Sequence, residues 1–99
     1  MIKIEKTKNG SELVISLEGR LDTVTAPRLE EELKSSVQGI ISLVFDLKDL
    51  QYISSAGLRV LLSAQKTMNR QGTMAVRNVS DGVREIFDVT GFSDILKFE

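Results

Sequence analysis

Histidine, cysteine and tryptophan are absent from this sequence of 99 residues, and proline occurs once. Without cysteine the chain can form neither a disulfide framework nor a thiolate metal site. Without histidine as well, any bound metal would have to be a hard cation held by carboxylates, and we predict no metal site. The missing histidine also removes the base that commonly activates a serine nucleophile.

Sequence motifs of several enzyme classes are missing too. No Ser-x-x-Lys pair begins at Ser54 or Ser55, and there is no Gly-x-Ser-x-Gly elbow. The chain also has no glycine-rich phosphate loop of the P-loop or dinucleotide-binding type. We therefore predict that the protein is not an enzyme and that it binds no cofactor of its own.

Long apolar runs and charge clusters are absent as well. The longest apolar stretch, GIISLVFDL, is far shorter than the roughly 20 residues that cross a bilayer. The N-terminal MIKIEKTKNG alternates apolar and charged residues, unlike a signal peptide. The net charge is −1 with scattered Lys and Arg, which argues against direct nucleic-acid binding and membrane insertion. We expect a cytoplasmic protein.

What the chain does contain is typical of one globular domain over residues 1–99, with 41% hydrophobic and 27% charged residues. Apolar residues alternate with polar ones over residues 2–5 and 13–18, up to Gly19, where we expect the alternation to end. Asn9-Gly10 lies between these runs and favours a tight hairpin turn. The first two strands are therefore predicted to form an antiparallel hairpin.

Helices and buried strands follow the hairpin. Helical periodicity covers residues 22–37, with Thr23 or Thr25 as the cap and Pro27 in the first turn. Residues 40–47 form an apolar run without alternation, which is typical of a strand covered on both faces in a parallel sheet.

The second half of the chain repeats this alternation of helix and strand. We predict a helix over residues 55–70, a strand over 73–79, and a third helix capped by Ser80 and closed by Gly91. Residues 93–98 are compatible with a short strand or a fraying helix.

The resulting order predicts an α/β domain with a mixed sheet of four or five strands, an N-terminal antiparallel hairpin, βαβ crossovers and three main helices. Strands two to four would be parallel, with their carboxyl ends at the same edge of the sheet, where α/β proteins usually bind ligands. Polar residues lie on or just after these ends: Asp22, Asp46, Asp49, Ser54, Ser55 and Asn78.

The adjacent serines before the second helix have more than one interpretation. Either can cap the helix, and the simplest assignment gives that task to Ser55. Gly57 in the first turn costs about 1 kcal/mol relative to alanine, which indicates a close approach to the backbone. An exposed serine at a helix start is also a good acceptor for a kinase, because free N–H groups and the helix dipole tolerate the phosphate.

Two segments, LEGRLDTVTAPRLEEEL and DLKDLQYISSAGLRVLLSAQK, resemble the STAS domain of bacterial anti-sigma factor antagonists. The resemblance covers nearly the whole chain. It includes the hairpin, a Gly-x-Leu-Asp turn at 19–22, a strand ending in Asp46-Leu47, and a Ser-x-Gly-Leu signature at 55–58 followed by a helix.

The resemblance implies a partner-switching mechanism. In that family a partner kinase phosphorylates the serine two positions before the glycine, which is Ser55 here, and Ser54 stands where aspartate is often found. The unphosphorylated antagonist binds an anti-sigma factor, which is itself a serine kinase, and so frees the sigma factor. Phosphorylation breaks this complex and a serine phosphatase restores it, while ATP belongs to the partner.

Several residues are predicted to contact the partner. The resemblance places Asp22 and Asp46 beside Ser55, although from the sequence alone each carboxylate is slightly better interpreted as a turn cap. Leu58 is equally compatible with a core position and with a partner contact. The predicted contact set is Asp22, Thr23, Asp46, Ser54, Ser55, Gly57, Leu58 and Arg59.

Two other functions compete with this one. A non-enzymatic STAS subunit of a scaffold or of a transport system is the main alternative. A receiver domain phosphorylated on Asp46 is disfavoured by the short chain and by the missing acidic pair after the first strand.

Overall fold

The computed structural model describes residues 1–99, and the predicted order of strands and helices is confirmed. The elements are β1 (Ile2–Asn9), β2 (Glu12–Leu21), α1 (Ala26–Ser36), β3 (Ser42–Ile53), α2 (Ser55–Gln71), β4 (Thr73–Arg77), α3 (Asp81–Thr90) and a 3₁₀ helix over Phe92–Asp94. None of these helices combines the length and the apolar character that a membrane span requires.

The sheet has four strands in the order β1-β2-β3-β4. β1 and β2 form the predicted antiparallel hairpin, and Gly10 takes the positive φ that its turn requires. β2, β3 and β4 are parallel, as predicted. The C-terminal segment adds only a single bridge between Val76 and Phe98, so the sheet has no fifth strand.

The core lies between the sheet and its helices. Alternate residues of β2 (Leu13, Ile15 and Leu17) point into it, as their spacing predicts. Because these side chains pack with Phe45 of β3 and with apolar residues of all three helices in one cluster, the helices are fixed against the sheet.

The largest difference from the sequence prediction concerns where β2 and β3 end. The sequence predicts that the alternation stops at Gly19 and that the next strand ends at Asp46-Leu47. The hydrogen-bonded ladder between β2 and β3 instead continues until Leu21 pairs with Ile53. Two register shifts interrupt it, one of them next to Gly19, which has a φ of +105°. A bulge adds an unpaired residue and breaks the two-residue alternation of side chains. The alternation in the sequence therefore does not reveal the rest of the strand.

The start of α1 also differs from the prediction. The helix begins at Ala26 rather than at residue 22, with Pro27 in its first turn as expected. Thr25 occupies the cap position, but its hydroxyl makes no capping bond; it donates instead to the carbonyl of Arg20 at 2.8 Å. Residues 22–25 therefore form a loop that connects the end of β2 to α1.

The close approach predicted at Gly57 is made by the protein itself. A Cβ at this position would lie 2.8 Å from Ile53 Cγ1 and 2.8 Å from Leu21 Cγ. α2 can therefore pack onto the ends of β2 and β3 only because residue 57 has no side chain.

We predict that Gly57→Ala destabilises the protein by about 1–3 kcal/mol, because overpacking of the core outweighs the gain in helix propensity. Gly82→Ala in α3 is the matched control, since nothing lies within 4 Å of a Cβ there, and it should be neutral or stabilise by about 0.5 kcal/mol. Urea unfolding midpoints measure both effects. Equal shifts in the two variants would mean that Gly57 is not a packing position.

Candidate functional site

The carboxyl ends of β2 and β3 lie side by side and carry the candidate site. Leu21 pairs with Ile53, and the N–H of Ser54 donates to the carbonyl of Leu21 at 2.9 Å. The residues that follow these two strands are therefore close neighbours. Thr23, Ala56 and Arg59 also line a common cleft of about 370 Å³ between α1 and α2. We call Asp22, Thr23, Ser54, Ser55 and Arg59 the Ser55 surface.

The two serines have different positions. Ser54, not Ser55, is the N-cap of α2: its Oγ accepts the N–H of Gly57 at 3.4 Å, and it is half-buried. The assignment of the cap to Ser55 is thus wrong, because β3 extends through Ile53 and leaves Ser54 as the last residue before the helix. Ser55 is the first residue of the helix and is exposed to solvent.

Asp22 holds the loop between β2 and α1. Its Oδ1 accepts the N–H groups of Val24 and Thr25, both at 3.0 Å. The bond from the Thr25 N–H is the main reason why the pKa of Asp22 lies below its ordinary value, so the carboxylate is charged at neutral pH. The turn-cap interpretation of Asp22 is confirmed for Oδ1, and Oδ2 remains turned toward the Arg20 guanidinium, 4.0 Å away.

Three residues of this edge lie outside the site that the sequence predicts. Arg20 and Tyr52 pair across β2 and β3, and the Arg20 guanidinium lies 4.4 Å above the Tyr52 ring. Val24 is 82% exposed beside Thr23, an unusual position for an apolar side chain. One signal was available: Arg20 and Tyr52 each stand two residues before the predicted site residues Asp22 and Ser54.

Two residues of the predicted contact set lie beneath the surface rather than on it. Gly57 is buried against Leu21 and Ile53, and Leu58 is a buried member of the core. In this conformation neither offers a side chain to a partner, and both support the start of α2 from below. Thr23, Ser55 and Arg59 are exposed, as a contact surface requires.

Asp46 is not beside Ser55, and that expectation is wrong. It lies within β3, seven residues before Ile53, which corresponds to roughly 20 Å of strand. Asp46 accepts hydrogen bonds from the Asn78 amide and the Lys48 N–H, both at 3.1 Å, and from Arg77 Nε at 3.3 Å. Partial burial raises its pKa, but these bonds and the Arg77 charge outweigh that effect, so the pKa is lowered.

The remaining polar residues of the predicted edge are also elsewhere. Asp49 lies within β3 opposite Glu18, not after a strand end. Asn78 follows β4 with a φ of +57° and donates to Asp46. The predicted edge is therefore divided into two clusters, one around Ser55 and one around Asp46, because β4 pairs only with the first half of β3.

The chain is similar to a family of regulatory proteins. The STAS domain family matches residues 3–99. The anti-sigma-B factor antagonist of Listeria monocytogenes is 34% identical, over 99% of this chain and 89% of that protein. The crystal structure of an anti-sigma factor antagonist from Mycobacterium paratuberculosis has a TM-score of 0.89 at 24% identity, covering 99% of this chain and 85% of the other. Bacillus SpoIIAA in its phosphorylated form has a TM-score of 0.75 at 17% identity, covering 100% and 91%.

Proposed function

The chain belongs to the STAS domain family and, within it, to the anti-sigma factor antagonists, and from this premise we propose that it is a binding switch controlled by phosphorylation of Ser55. The unphosphorylated protein binds an anti-sigma factor that is also a serine kinase, and so releases the sigma factor. Phosphorylation prevents this binding and a serine phosphatase restores it. Anti-sigma factor antagonists are non-enzymatic regulators, so ATP and phosphoryl transfer belong to the partner.

The observation that carries the proposal is the division of tasks between the two serines. Ser54 caps α2, and its hydroxyl is engaged with the N–H of Gly57. Ser55, one residue later, is exposed on the same edge as Asp22 and Thr23. A kinase can therefore reach the Ser55 hydroxyl without removing the cap that starts the helix.

The start of α2 also tolerates a phosphate. Ser55 and Ala56 are the first two residues of the helix, where backbone N–H groups have no intrahelical acceptor. A phosphate at a helix N-terminus is favoured by these donors and by the positive end of the helix dipole. SpoIIAA, which has the same fold, has been solved in a phosphorylated form, and this supports modification without loss of the fold.

The same phosphate is unfavourable for binding of a partner to this surface. It adds a charge of about −1.5 to −2 to a surface that already carries the charged carboxylate of Asp22. A partner complementary to the neutral Ser55 hydroxyl must then accommodate extra volume and desolvate a dianion, at a cost of several kcal/mol. Phosphorylation is thus expected to change binding and to leave the fold intact.

Phosphorylation assays test the choice of residue. Incubation with an anti-sigma serine kinase from the same genome and ATP should give one phosphate per chain, on Ser55, as located by mass spectrometry of peptides. Ser55→Ala should stay unmodified, and Ser54→Ala should still be phosphorylated, although loss of the cap costs it about 1 kcal/mol of stability. A phosphate on Ser54, or modification of Ser55→Ala, would refute the assignment.

A further inference from the structure

Arg59 is a basic residue of the Ser55 surface that has no role in the switch as proposed above. It is exposed on α2, four residues after Ser55, and residues at this spacing share one face of a helix with Cβ atoms about 5–6 Å apart. The four ion pairs of the protein are Lys6–Glu32, Arg20–Asp22, Arg77–Asp46 and Arg84–Asp88. The Arg59 guanidinium takes part in none of them.

Other charged groups of this edge are Asp22 and Arg20 at the end of β2, and Glu30 of α1 lines the same cleft as Arg59. Asp22 and Glu30 are acidic and repel a phosphate. Arg20 is already placed 4.0 Å from Asp22 and stacked on Tyr52. Arg59 is therefore the basic side chain of this edge that is available to a phosphate on Ser55.

The chemistry of the two groups fits an ion pair. A phosphoserine presents three acceptor oxygens, and the guanidinium of arginine binds such a group through two parallel N–H bonds. The order along the helix is also the favourable one, with the anion N-terminal to the cation at the i, i+4 spacing.

Resting on the proposed function, we infer that Arg59 binds the phosphate of phosphorylated Ser55 and is thereby withdrawn from the partner. In the unphosphorylated protein the exposed guanidinium is free to pair with an acidic group of the anti-sigma factor. After phosphorylation the same guanidinium is held within the chain. A single modification thus adds negative charge to the Ser55 surface and also neutralises one of its positive charges.

A phosphorus NMR titration tests this inference without a partner or a kinase. Phosphoserine is introduced at position 55 during translation, and the pH dependence of its ³¹P shift gives the phosphate pKa. Arg59→Gln should raise this pKa by about 0.2–0.4 unit, because the cation that stabilises the dianion is lost. Arg59→Lys should restore part of the difference. Arg70→Gln, at the far end of the same helix, is the control and should leave the phosphate pKa unchanged.

An unchanged phosphate pKa in Arg59→Gln, or an equal rise in Arg70→Gln, would overturn the inference. Since glutamine is nearly as good a helix former as arginine, the variants should fold normally. Neither result bears on the proposed function, which fails separately if the wild-type protein phosphorylated at Ser55 binds the anti-sigma factor as tightly as the unphosphorylated protein does.

Discussion

Phosphorylation of Ser55 is expected to weaken binding to the anti-sigma factor at least a hundredfold while leaving the thermal stability level or slightly raised. A loss of about 2.8 kcal/mol of binding free energy suffices for this factor. The same charge at the N-terminus of α2 should contribute about 0.3–1 kcal/mol in favour of the fold. Calorimetric titration and thermal unfolding of the same samples measure both quantities.

Variants of Ser55 separate the hydroxyl from the phosphate. Ser55→Ala should bind the anti-sigma factor constitutively and resist the kinase. Ser55→Asp should bind weakly, although a carboxylate is a weaker mimic because it carries less charge and fewer acceptor oxygens than a phosphate. Ser55→Asp should also fold normally. An unfolded Ser55→Asp protein would contradict the separation of binding from folding.

The two aspartates that the family resemblance places together are expected to behave differently. Asp22 lies on the Ser55 surface, so Asp22→Ala should weaken binding roughly 30-fold, the effect of an interface hot spot. Asp22→Asn is the matched variant: its side-chain oxygen can still accept the N–H groups of Val24 and Thr25, but the charge is lost. Weak binding by both variants would identify the charge as the contact.

Asp46→Ala should leave the affinity for the anti-sigma factor unchanged and lower the stability. Its side chain is only 18% exposed, and its removal leaves Arg77 and Asn78 without their acceptor, at a cost of about 1 kcal/mol or more. A folded Asp46→Ala protein that bound as weakly as Asp22→Ala would contradict this division. The partner would then have to extend along β3.

Much of the fold was predictable because its signals are local. The Asn9-Gly10 pair predicted the hairpin at the right place, and Gly10 has the positive φ that its turn needs. The turn itself is shifted by one residue: Asn9 ends β1 and pairs with Glu12, so the two turn residues are Gly10 and Ser11. Ser80 and Gly91 marked the two ends of α3: the Ser80 hydroxyl accepts the N–H of Val83, and Gly91 adopts the left-handed conformation. Signals of this kind depend on a few neighbouring residues and not on the tertiary structure.

The length of β3 was not predictable in the same way. Lys48 and Asp49 are consecutive exposed residues within the strand, which breaks the alternation that marks a strand in sequence. The register shifts of the β2–β3 ladder accommodate them, and the strand then continues to Ile53. Ending the strand at Asp46 placed that carboxylate at the candidate site, whereas it belongs to a separate cluster with Arg77 and Asn78.

The residues of the candidate site were predictable in outline, but the role of each serine and the contacts of Gly57 were not. The sequence indicated that something approaches Gly57, but only the packing of α2 identifies Leu21 and Ile53 as the contacts. Either serine was chemically able to cap the helix. The extent of β3 decides the matter, because it makes Ser54 the cap and leaves Ser55 exposed.

Release of the sigma factor is the most direct test of the central claim. A preformed complex of the anti-sigma factor with its sigma factor, one of them labelled, is titrated with the unphosphorylated protein and with protein carrying phosphoserine at position 55. We predict that the unphosphorylated protein and Ser55→Ala release the sigma factor, and that the phosphorylated protein requires at least about a hundredfold higher concentration. Release at the same concentration by both forms would contradict the account.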